Sequence, residues 1–335
     1  MTDSPTLEEV ARLAGVSRAT ASRAINGGAR VSARAQRAVE DAIRRLGYTP
    51  NTAARSLVTR RTDSVALVVP EPDELVFSDP FFARTLHVVT NVLSARDLQV
   101  VLLIARPDDD KQRMLRYLRG RHIDGAIVVS HHAGDALPDH IAALGLPNAF
   151  IGRPWTKEDQ VSYVSTDNTD GARQATQLLI DRGCRRIGTI AGPADMTVGR
   201  DRLEGWRQTV NEAGLSDEAV VRGDFTEAGG AEACEALLDA HPDLDGLVVA
   251  SDLMASGSLR VLAARGRRVP DDIAVTGYDD LGIAEHTNPP LTTLRNPISE
   301  MADQAAQLLI EQLEGGSVPP RRVNFAPTLI RRQSA

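Results

Sequence analysis

Cysteine and lysine are scarce in this sequence, and long apolar runs are missing altogether. The two cysteines, Cys184 and Cys234, lie far apart and form no Cys-x-x-Cys pair, so neither a disulfide framework nor a zinc knuckle is predicted. No stretch approaches the roughly 18 consecutive apolar residues of a membrane-spanning helix. The N-terminus carries neither the basic nor the apolar segment of a signal peptide. We therefore expect a cytoplasmic protein with no membrane partner.

Sequence motifs of the common enzyme classes are missing as well. The chain has no Gly-x-Gly-x-x-Gly, no Gly-x-x-x-x-Gly-Lys, no His-Glu-x-x-His and no Gly-x-Ser-x-Gly. The adjacent residues His131 and His132 point their rings apart in a strand or loop, and we interpret them as part of a solvated loop rather than a metal site. The sequence accordingly predicts no catalytic residue, no metal, no cofactor and no enzyme activity.

The net charge of −7 is distributed unevenly along the 335 residues. Residues 1–61 contain eleven arginines and five acidic residues, an excess of six positive charges, so the remainder carries an excess of thirteen negative charges. A basic head on an acidic body indicates that the head binds a polyanion, while the body opposes coating of nucleic acid by the whole chain. The length and a hydrophobic fraction of 42% predict two or three domains with large cores.

The pattern of residues 1–49 predicts three short helices. Thr6 and Glu9 have the spacing of a capping box and begin the first helix, while Ser17 and Ser32 are the predicted caps of the second and third. Two helices joined by a four-residue turn have the helix-turn-helix pattern, which is typical of DNA-binding heads.

From residue 63 onward, apolar runs of strand length alternate with helical patterns. Near-continuous apolar strands separated by helices indicate parallel sheets covered on both faces, and the number of strands predicts two α/β lobes with a cleft at the strand ends. The predicted strands are Val65–Val69, Val100–Ile104, Ala126–Val129, Ala149–Ile151, Ile187–Ala191, Leu247–Ala250 and Ile273–Thr276. The predicted helices include Phe82–Leu93, Thr169–Leu179, Arg202–Glu212, Ala231–Leu238 and Met254–Ala264.

Short segments along the whole chain match the motifs of one family. The head contains "VARLAGVSRAT", "SRAIN", "VSARAQ", "LGYTPN" and "AARSL", and the body contains "IAGP", "RLEGW", "VVASD", "VTGYDD" and "PPLTT" in the same order as the family. From about Thr6 to about Arg332, the chain resembles the lactose-repressor (LacI/GalR) family of transcription factors.

The resemblance implies an all-α helix-turn-helix head and an α/β body like a periplasmic binding protein, with two parallel, doubly wound sheets joined by three crossovers. It also implies a homodimer that binds an operator in double-stranded DNA under the control of a small effector. The expected domains are the head at residues 1–49, a hinge at 50–62 and the body at 63–335. The first lobe is expected at about 63–164 and 295–325, and the second at about 165–293 and 326–335.

By the same resemblance, the second helix of the head enters the major groove. Arg18, Ala19 and Arg23 are expected on its base-reading face, where an arginine fork donates to O6 and N7 of guanine and an alanine contacts at most a thymine methyl. Two arginines and one alanine therefore predict a G·C-rich half-site, and the two heads of the implied homodimer predict a pseudopalindromic operator. Small polar residues at helix starts and turns are expected to contact the DNA phosphates: Ser17, Thr20, Ser22, Asn26 and Ser32. For Ser17 and Ser32 the alternative role is helix capping.

The linker that begins with Asn51 matches the hinge helix of the family. There, two hinge helices pair across the dimer and insert a leucine, here Leu57, into the minor groove, where an apolar wedge kinks the DNA. Arg55 is then expected near the DNA backbone. The alternative for Leu57 is packing against the body. Because the segment is too short to be helical alone, we expect DNA and dimerisation to order it together.

Seven body positions match effector-binding positions of the family. Arg200 of "GRDRLEGW" and Asp279 of "GYDD" are expected to hold ligand hydroxyls, because an arginine–aspartate pair with aromatics is a common sugar site. The alternative for Arg200 is a surface arginine, and the alternative for Asp279 is a helix cap. The alternative for Phe82 and Phe225 is a place in the apolar core. Arg153 follows a strand and is a further candidate for the cleft wall. The remaining matched positions are Phe82, Phe225, Ser251, Asp252 and Asn296.

The segments "SDPFF" and "GVSRAT" resemble those of actinobacterial regulators of β-glucoside and cello-oligosaccharide use. The predicted effector is a neutral mono- or disaccharide such as cellobiose, and a nucleobase acting as corepressor is the alternative. The leading hypothesis is a repressor of sugar-utilisation genes that releases its operator when the sugar binds. A solute-binding receptor and an enzyme built on the same fold are its rivals, which the basic head and the missing motifs oppose.

Overall fold

The computed structural model describes residues 5–25, 31–49, 61–104, 109–120, 122–315 and 319–335. The chain divides into two compact units, residues 1–62 and residues 63–335, which are called the head and the body below. In the described ranges, no helix combines the length and the apolar character that crossing a bilayer requires.

The described residues of the head form three helices, which begin at the predicted capping residues. They are α1 (Leu7–Ala14), α2 (Arg18–Ile25) and α3 (Ala33–Leu46). Thr6 and Glu9 form the complete capping box before α1, and the Ser32 hydroxyl accepts a hydrogen bond from the Ala35 amide at 3.2 Å. The inner faces of the helices carry small apolar side chains, which let them approach closely: Val10, Ala11, Ala21, Ala24, Val39 and Ala42.

The described residues of the body form two six-stranded sheets, one in each lobe. The strands are β1 (Ser64–Val69), β2 (Gln99–Ile104), β3 (Gly125–Val129), β4 (Asn148–Ile151), β5 (Tyr163–Thr166), β6 (Ile187–Ala191), β7 (Val220–Arg222), β8 (Gly246–Val249), β9 (Ala274–Asp279), β10 (Thr292–Arg295), β11 (Arg322–Phe325) and β12 (Thr328–Ile330). The first sheet has the order β11-β5-β4-β3-β1-β2 and the second has the order β12-β10-β9-β8-β6-β7. These strand pairs are parallel apart from β10 and β12, which are antiparallel.

Helices cover both faces of each sheet. Alternate side chains of the buried strands point to opposite faces and therefore enter different apolar cores. In the first lobe, Leu67 and Ile127 pack in one core and Val68 and Val128 in another. The body helices are α4 (Asp73–Ser78), α5 (Pro80–Ser94), α6 (Asp109–Arg119), α7 (Leu137–Leu144), α8 (Asn168–Arg182), α9 (Thr197–Glu212), α10 (Glu227–Ala240), α11 (Asp252–Ala264), α12 (Ile283–His286) and α13 (Ile298–Gly315). The predicted fold, a helical head with two doubly wound sheets, is confirmed.

The chain passes between the two sheets three times. It crosses from β5 to α8, from β10 to α13, which packs on the first sheet, and from β11 to β12. Since the strands of each sheet are mostly parallel, their carboxyl ends meet at one edge, where ligands of such folds bind. This topology places the polar residues that follow the strands at the cleft between the lobes.

Candidate functional site

A cavity of about 150 Å³ lies in the body, at the carboxyl ends of strands from both sheets. Five of the seven predicted effector residues line it: Phe82, Phe225, Ser251, Asp279 and Asn296. Arg153 lines it as well. Arg200 and Asp252 do not belong to the lining, and the structure gives each of them a different environment.

Arg200 points away from the cavity. Its side chain is 49% exposed, and its guanidinium lies 4.8 Å from the centre of the Trp155 ring. Arg202, two residues further along α9, is 6% exposed and lines the cavity. A helix turns by about 100° per residue, so two residues separate these side chains by about 200°. The expectation that Arg200 binds the effector therefore needs correcting, and Arg202 is the candidate effector-binding arginine.

Arg202 is held in place by contacts along its whole guanidinium. Its Nε donates to Asn168 Oδ1 at 2.9 Å, and its Nη1 donates to the carbonyl oxygen of Ala250. Its Nη2 lies 3.4 Å from Asp279 Oδ1, and its plane stacks on the Tyr278 ring at 3.5 Å from the centroid. These contacts come from three segments of the second lobe, so the arginine presents a rigid donor group at the base of the cavity.

Asp279 is the last residue of β9, and its backbone has a φ of 115°. Its Oδ1 accepts hydrogen bonds from Arg202 Nη2 and from Asn296 Nδ2, at 3.4 and 3.3 Å. Among the described residues neither bond uses Oδ2, which leaves that oxygen for a ligand. Burial raises the pKa of the Asp279 carboxyl, and the nearby Arg202 cation opposes that rise. Asn296 is itself oriented by the Thr166 hydroxyl, which donates to its Oδ1 at 2.5 Å.

Asp252 holds two strand ends together, and Ser251 caps a helix. The Asp252 side chain accepts hydrogen bonds from the Thr293 hydroxyl at 2.6 Å and from the Asp280 amide at 2.7 Å. The residue is 2% exposed, and burial raises the pKa of its carboxyl well above the usual value. The expectation that Asp252 contacts the effector needs correcting, because its carboxylate ties β9 to β10. Ser251 caps α11 through the Met254 amide at 3.2 Å and also lines the cavity.

Asp79 lines the cavity, and the sequence analysis missed it. Its carboxylate caps α5 by accepting a hydrogen bond from the Phe81 amide at 2.8 Å. Burial raises the pKa of this carboxyl to about 6, and the negative charges of Asp279 and Glu71 add to the rise. The signal in the sequence was an aspartate directly before Pro80, the usual order of a cap and a first helical residue.

His131 and His132 do not form a solvated loop, so that interpretation was wrong. His131 is 5% exposed and packs edge-on against Phe150, with 5.7 Å between the ring centroids. Burial lowers the pKa of His131 to about 4, which keeps its imidazole neutral. His132 lies between Glu71 and Asp195, at 3.0 and 2.8 Å, and the hydrogen bond with Glu71 is the main reason that its pKa rises to about 9.

Contacts beside the cavity join the two lobes, and we call the residues that make them the clasp: His132, Arg153, Asp195, Thr197 and Asp201. His132 of the first lobe meets Asp195 of the second. Arg153 Nη2 lies 2.5 Å from Asp201 Oδ2, and the Thr197 hydroxyl donates to the Arg153 carbonyl oxygen at 2.7 Å. Since α9 carries both Thr197 and Asp201, the clasp couples the helix of Arg202 to the first lobe.

The head presents the predicted base-reading face to solvent. Ala21 and Ala24 of α2 are buried, whereas Arg18, Ala19 and Arg23 are exposed. Ser17 caps α2, since its hydroxyl accepts from the Thr20 amide at 3.1 Å, and it also contacts the Thr20 hydroxyl at 2.9 Å. Ser22 lies on α2 and Ser32 caps α3. The remaining predicted DNA contacts lie outside the described residues: Asn26, Asn51, Arg55 and Leu57.

Comparisons with known proteins assign this chain to a family. The family model for bacterial regulatory proteins of the lacI family matches residues 6–51, and that for the periplasmic binding protein-like domain matches residues 159–335. The HTH-type transcriptional regulator CelR of Thermobifida fusca is 48% identical over 333 residues, which cover 98% of this chain and 98% of CelR. The chain belongs to the lacI family. The ribose operon repressor of Escherichia coli K12 is 34% identical over 339 residues, which cover 98% of this chain and 99% of that protein.

Two solved structures of transcriptional regulators are similar to this chain over nearly its whole length. The transcriptional regulator CelR–cellobiose complex has a TM-score of 0.80 and 46% identity, and the likeness covers 99% of this chain and 100% of that one. The lac repressor dimer bound to operator and the anti-inducer ONPF has a TM-score of 0.87 over 99% of both chains. At 24% identity, the second likeness shows the fold alone. The predicted family is thus confirmed.

The cleft of this lacI-family chain offers no unpaired cation among the residues described. Arg202 contacts Asp279, and Arg153 contacts Glu158 and Asp201. His132 contacts Glu71 and Asp195. The lining also includes the carboxylates of Asp79 and Asp224. A phosphate or carboxylate ligand would meet this excess of negative charge, so the site favours a neutral ligand.

Deprotonation of His132 at high pH is expected to lower the free energy of unfolding of the body. The pKa of His132 is about 9 in the folded chain against 6.5 for a free histidine, so the stabilisation is fully present below about pH 6.5 and lost as the pH rises through 9. Urea unfolding of wild type and His132→Gln on both sides of this pH range measures the effect.

The difference in free energy of unfolding between wild type and His132→Gln should shrink with rising pH. His286→Gln, which replaces an exposed histidine outside the clasp, should track wild type. A constant difference for His132→Gln would contradict the assignment.

Proposed function

We propose that this chain is a cellobiose-responsive repressor of sugar-utilisation genes. The observation that carries the proposal is the likeness, over nearly the whole chain, to a regulator whose solved complex contains cellobiose. The cleft supports it independently, because its buried arginine, the second carboxylate oxygen of Asp279 and three phenylalanines suit a sugar, and its cations are already paired.

In this proposal the sugar lies between the lobes and bonds to both. Arg202 donates to one or two hydroxyls, and Asp279 accepts from a neighbouring hydroxyl through Oδ2. Asn296 adds an amide from a crossover, while Phe82 and Phe225 cover the C–H faces of the ring. Asp79 reaches the same ligand from the first lobe. A ligand held from both lobes stabilises one lobe arrangement over others, which is the requirement for a switch.

The head of the proposed repressor binds DNA as part of a homodimer. Arg18 and Arg23 read guanines in each half of a G·C-rich pseudopalindrome, while Ser17, Thr20, Ser22, Asn26 and Ser32 hold the phosphates. The hinge residues Asn51, Arg55 and Leu57 engage the centre of the operator. Sugar binding changes the lobe arrangement and thereby releases the operator, for which a coupling of about 1–3 kcal/mol is sufficient. Such a regulator acts in the cytoplasm, where its operator is.

The melting temperature of the purified protein against a panel of ligands tests the effector assignment. Cellobiose, glucose, ribose and a purine are each added in excess, and a ligand at 100 times its Kd stabilises the protein by about 2.7 kcal/mol. We expect the largest shift with cellobiose. A shift with the purine alone would replace the sugar by the nucleobase alternative. No shift with any of the four would contradict the proposed use of the cleft.

A further inference from the structure

We propose that Glu8 is a positioning residue for base recognition, because its carboxylate orients the guanidinium of Arg18. Glu8 is the second residue of α1 and Arg18 is the first residue of α2, and Glu8 Oε1 lies 2.7 Å from Arg18 Nε. The inference rests on the proposed function of the head, in which Arg18 reads a base. It adds a residue on a different helix that determines how well that base is read.

The atom that Glu8 engages is the important point. The contact at Nε does not use the two terminal nitrogens of Arg18, which are the two that form parallel hydrogen bonds with O6 and N7 of guanine. Arg23, the other predicted base-reading arginine, is held at the same atom by a hydrogen bond, since its Nε donates to the Ala19 carbonyl oxygen at 3.2 Å. Both arginines are therefore held at Nε, and both lie on one exposed face.

Anchoring the stem lowers the entropy that the side chain loses when it binds a base. Arg18 and Glu8 are 71% and 60% exposed, so their ion pair contributes little to the stability of the head. Its consequence lies in recognition, because a side chain already held near its bound rotamer loses less freedom on binding. We expect this to be worth a roughly three- to tenfold increase in the preference for operator over other DNA.

The charge of Glu8 has a second effect, which does not depend on the DNA sequence. A carboxylate beside the recognition helix repels phosphates and so weakens binding to any duplex by a similar factor. Replacing Glu8 with glutamine should therefore strengthen binding to unrelated DNA. The ratio of the two affinities cancels this effect of charge and reports the loss of Arg18 orientation alone.

Glu9 provides a matched control on the neighbouring position. Its carboxylate accepts hydrogen bonds from the Thr6 amide at 2.8 Å and from the Thr6 hydroxyl at 3.2 Å, and it lies 4.0 Å from Arg12 rather than near Arg18. A glutamine at this position preserves a capping box. Glu9→Gln thus removes the same charge from the same helix without touching Arg18.

The test measures the ratio of two affinities for the full-length chain. Wild type first selects a duplex from a random pool, and each variant is then titrated at one salt concentration with the selected duplex and with a scrambled duplex. Because partial unfolding lowers both affinities together, the ratio reports recognition rather than folding. We expect Glu8→Gln to lower the ratio roughly three- to tenfold and Glu9→Gln to leave it unchanged. In an Arg18→Ala background, Glu8→Gln should no longer alter the ratio.

Two results would overturn the inference while leaving the proposed function intact. One is an unchanged ratio in Glu8→Gln, and the other is a loss in that variant that persists in full when Arg18 is alanine. A wild-type chain that enriches no sequence from the pool would overturn the proposed function of the head, and the inference with it.

Discussion

Replacing Arg202 with methionine is expected to weaken cellobiose binding by about 100-fold or more. The change removes a buried guanidinium that three segments hold in one orientation at the base of the cavity. Buried arginines in the centre of a binding site commonly contribute more than about 2 kcal/mol, and about 2.7 kcal/mol corresponds to 100-fold in Kd. Calorimetric titration with cellobiose measures the effect directly.

The control for this experiment is Arg200→Met on the same helix. Arg200 lies over Trp155 outside the cavity, so its loss should change the Kd for cellobiose by less than about threefold. Arg202→Lys keeps the charge without the planar fork, and we expect an intermediate Kd. Melting temperatures and operator binding of all three variants test whether they are folded. Equal effects of the two methionine variants, or a larger effect of Arg200→Met, would contradict the assignment of Arg202.

Replacing Arg18 and Arg23 together with alanine is expected to abolish the preference for the operator. Each bidentate arginine–guanine contact is worth about 1–3 kcal/mol of discrimination, so the double variant should lose about 2–6 kcal/mol, or at least a factor of 30. Fluorescence anisotropy with the selected and the scrambled duplex measures the two affinities. Cellobiose binding should remain as in wild type, because the effector residues belong to the body.

A second double variant separates base reading from general attraction to DNA. Arg34→Ala with Arg37→Ala removes the same charge from exposed positions of α3. Losing two cations should weaken binding to both duplexes by a similar factor and leave their ratio near that of wild type. Unchanged discrimination in the Arg18 and Arg23 variant would show that other residues read the operator.

The sequence predicted those elements whose signals are local or strongly periodic. The capping box at Thr6 and the caps at Ser17 and Ser32 were correct, because a cap depends on residues within one turn. The seven predicted strands are all present, since a strand buried on both faces is apolar along its length. The strands that the sequence analysis did not predict are short, at three or four residues, and polar in part, as at β7 and β12.

The choice between Arg200 and Arg202 could not be made from the sequence. Both lie within one turn of α9, and only the orientation of the helix on its lobe decides which of them faces the cavity. The contacts of Asp252 pose the same difficulty, because Thr293 and Asp280 approach it from strands distant in sequence. His132 was misjudged because its two acidic partners, Glu71 and Asp195, stand 61 and 63 residues away.

The release of DNA by the sugar is the central claim, and one titration tests it most directly. A fluorescent operator duplex is saturated with the wild-type protein, and cellobiose is added while the anisotropy is followed. We expect the anisotropy to fall towards the value of free DNA. The midpoint should lie above the calorimetric Kd by no more than the coupling factor, because bound operator opposes sugar binding by the same coupling. An anisotropy that stays constant, or binding that grows tighter as the sugar is added, would contradict the proposed repressor.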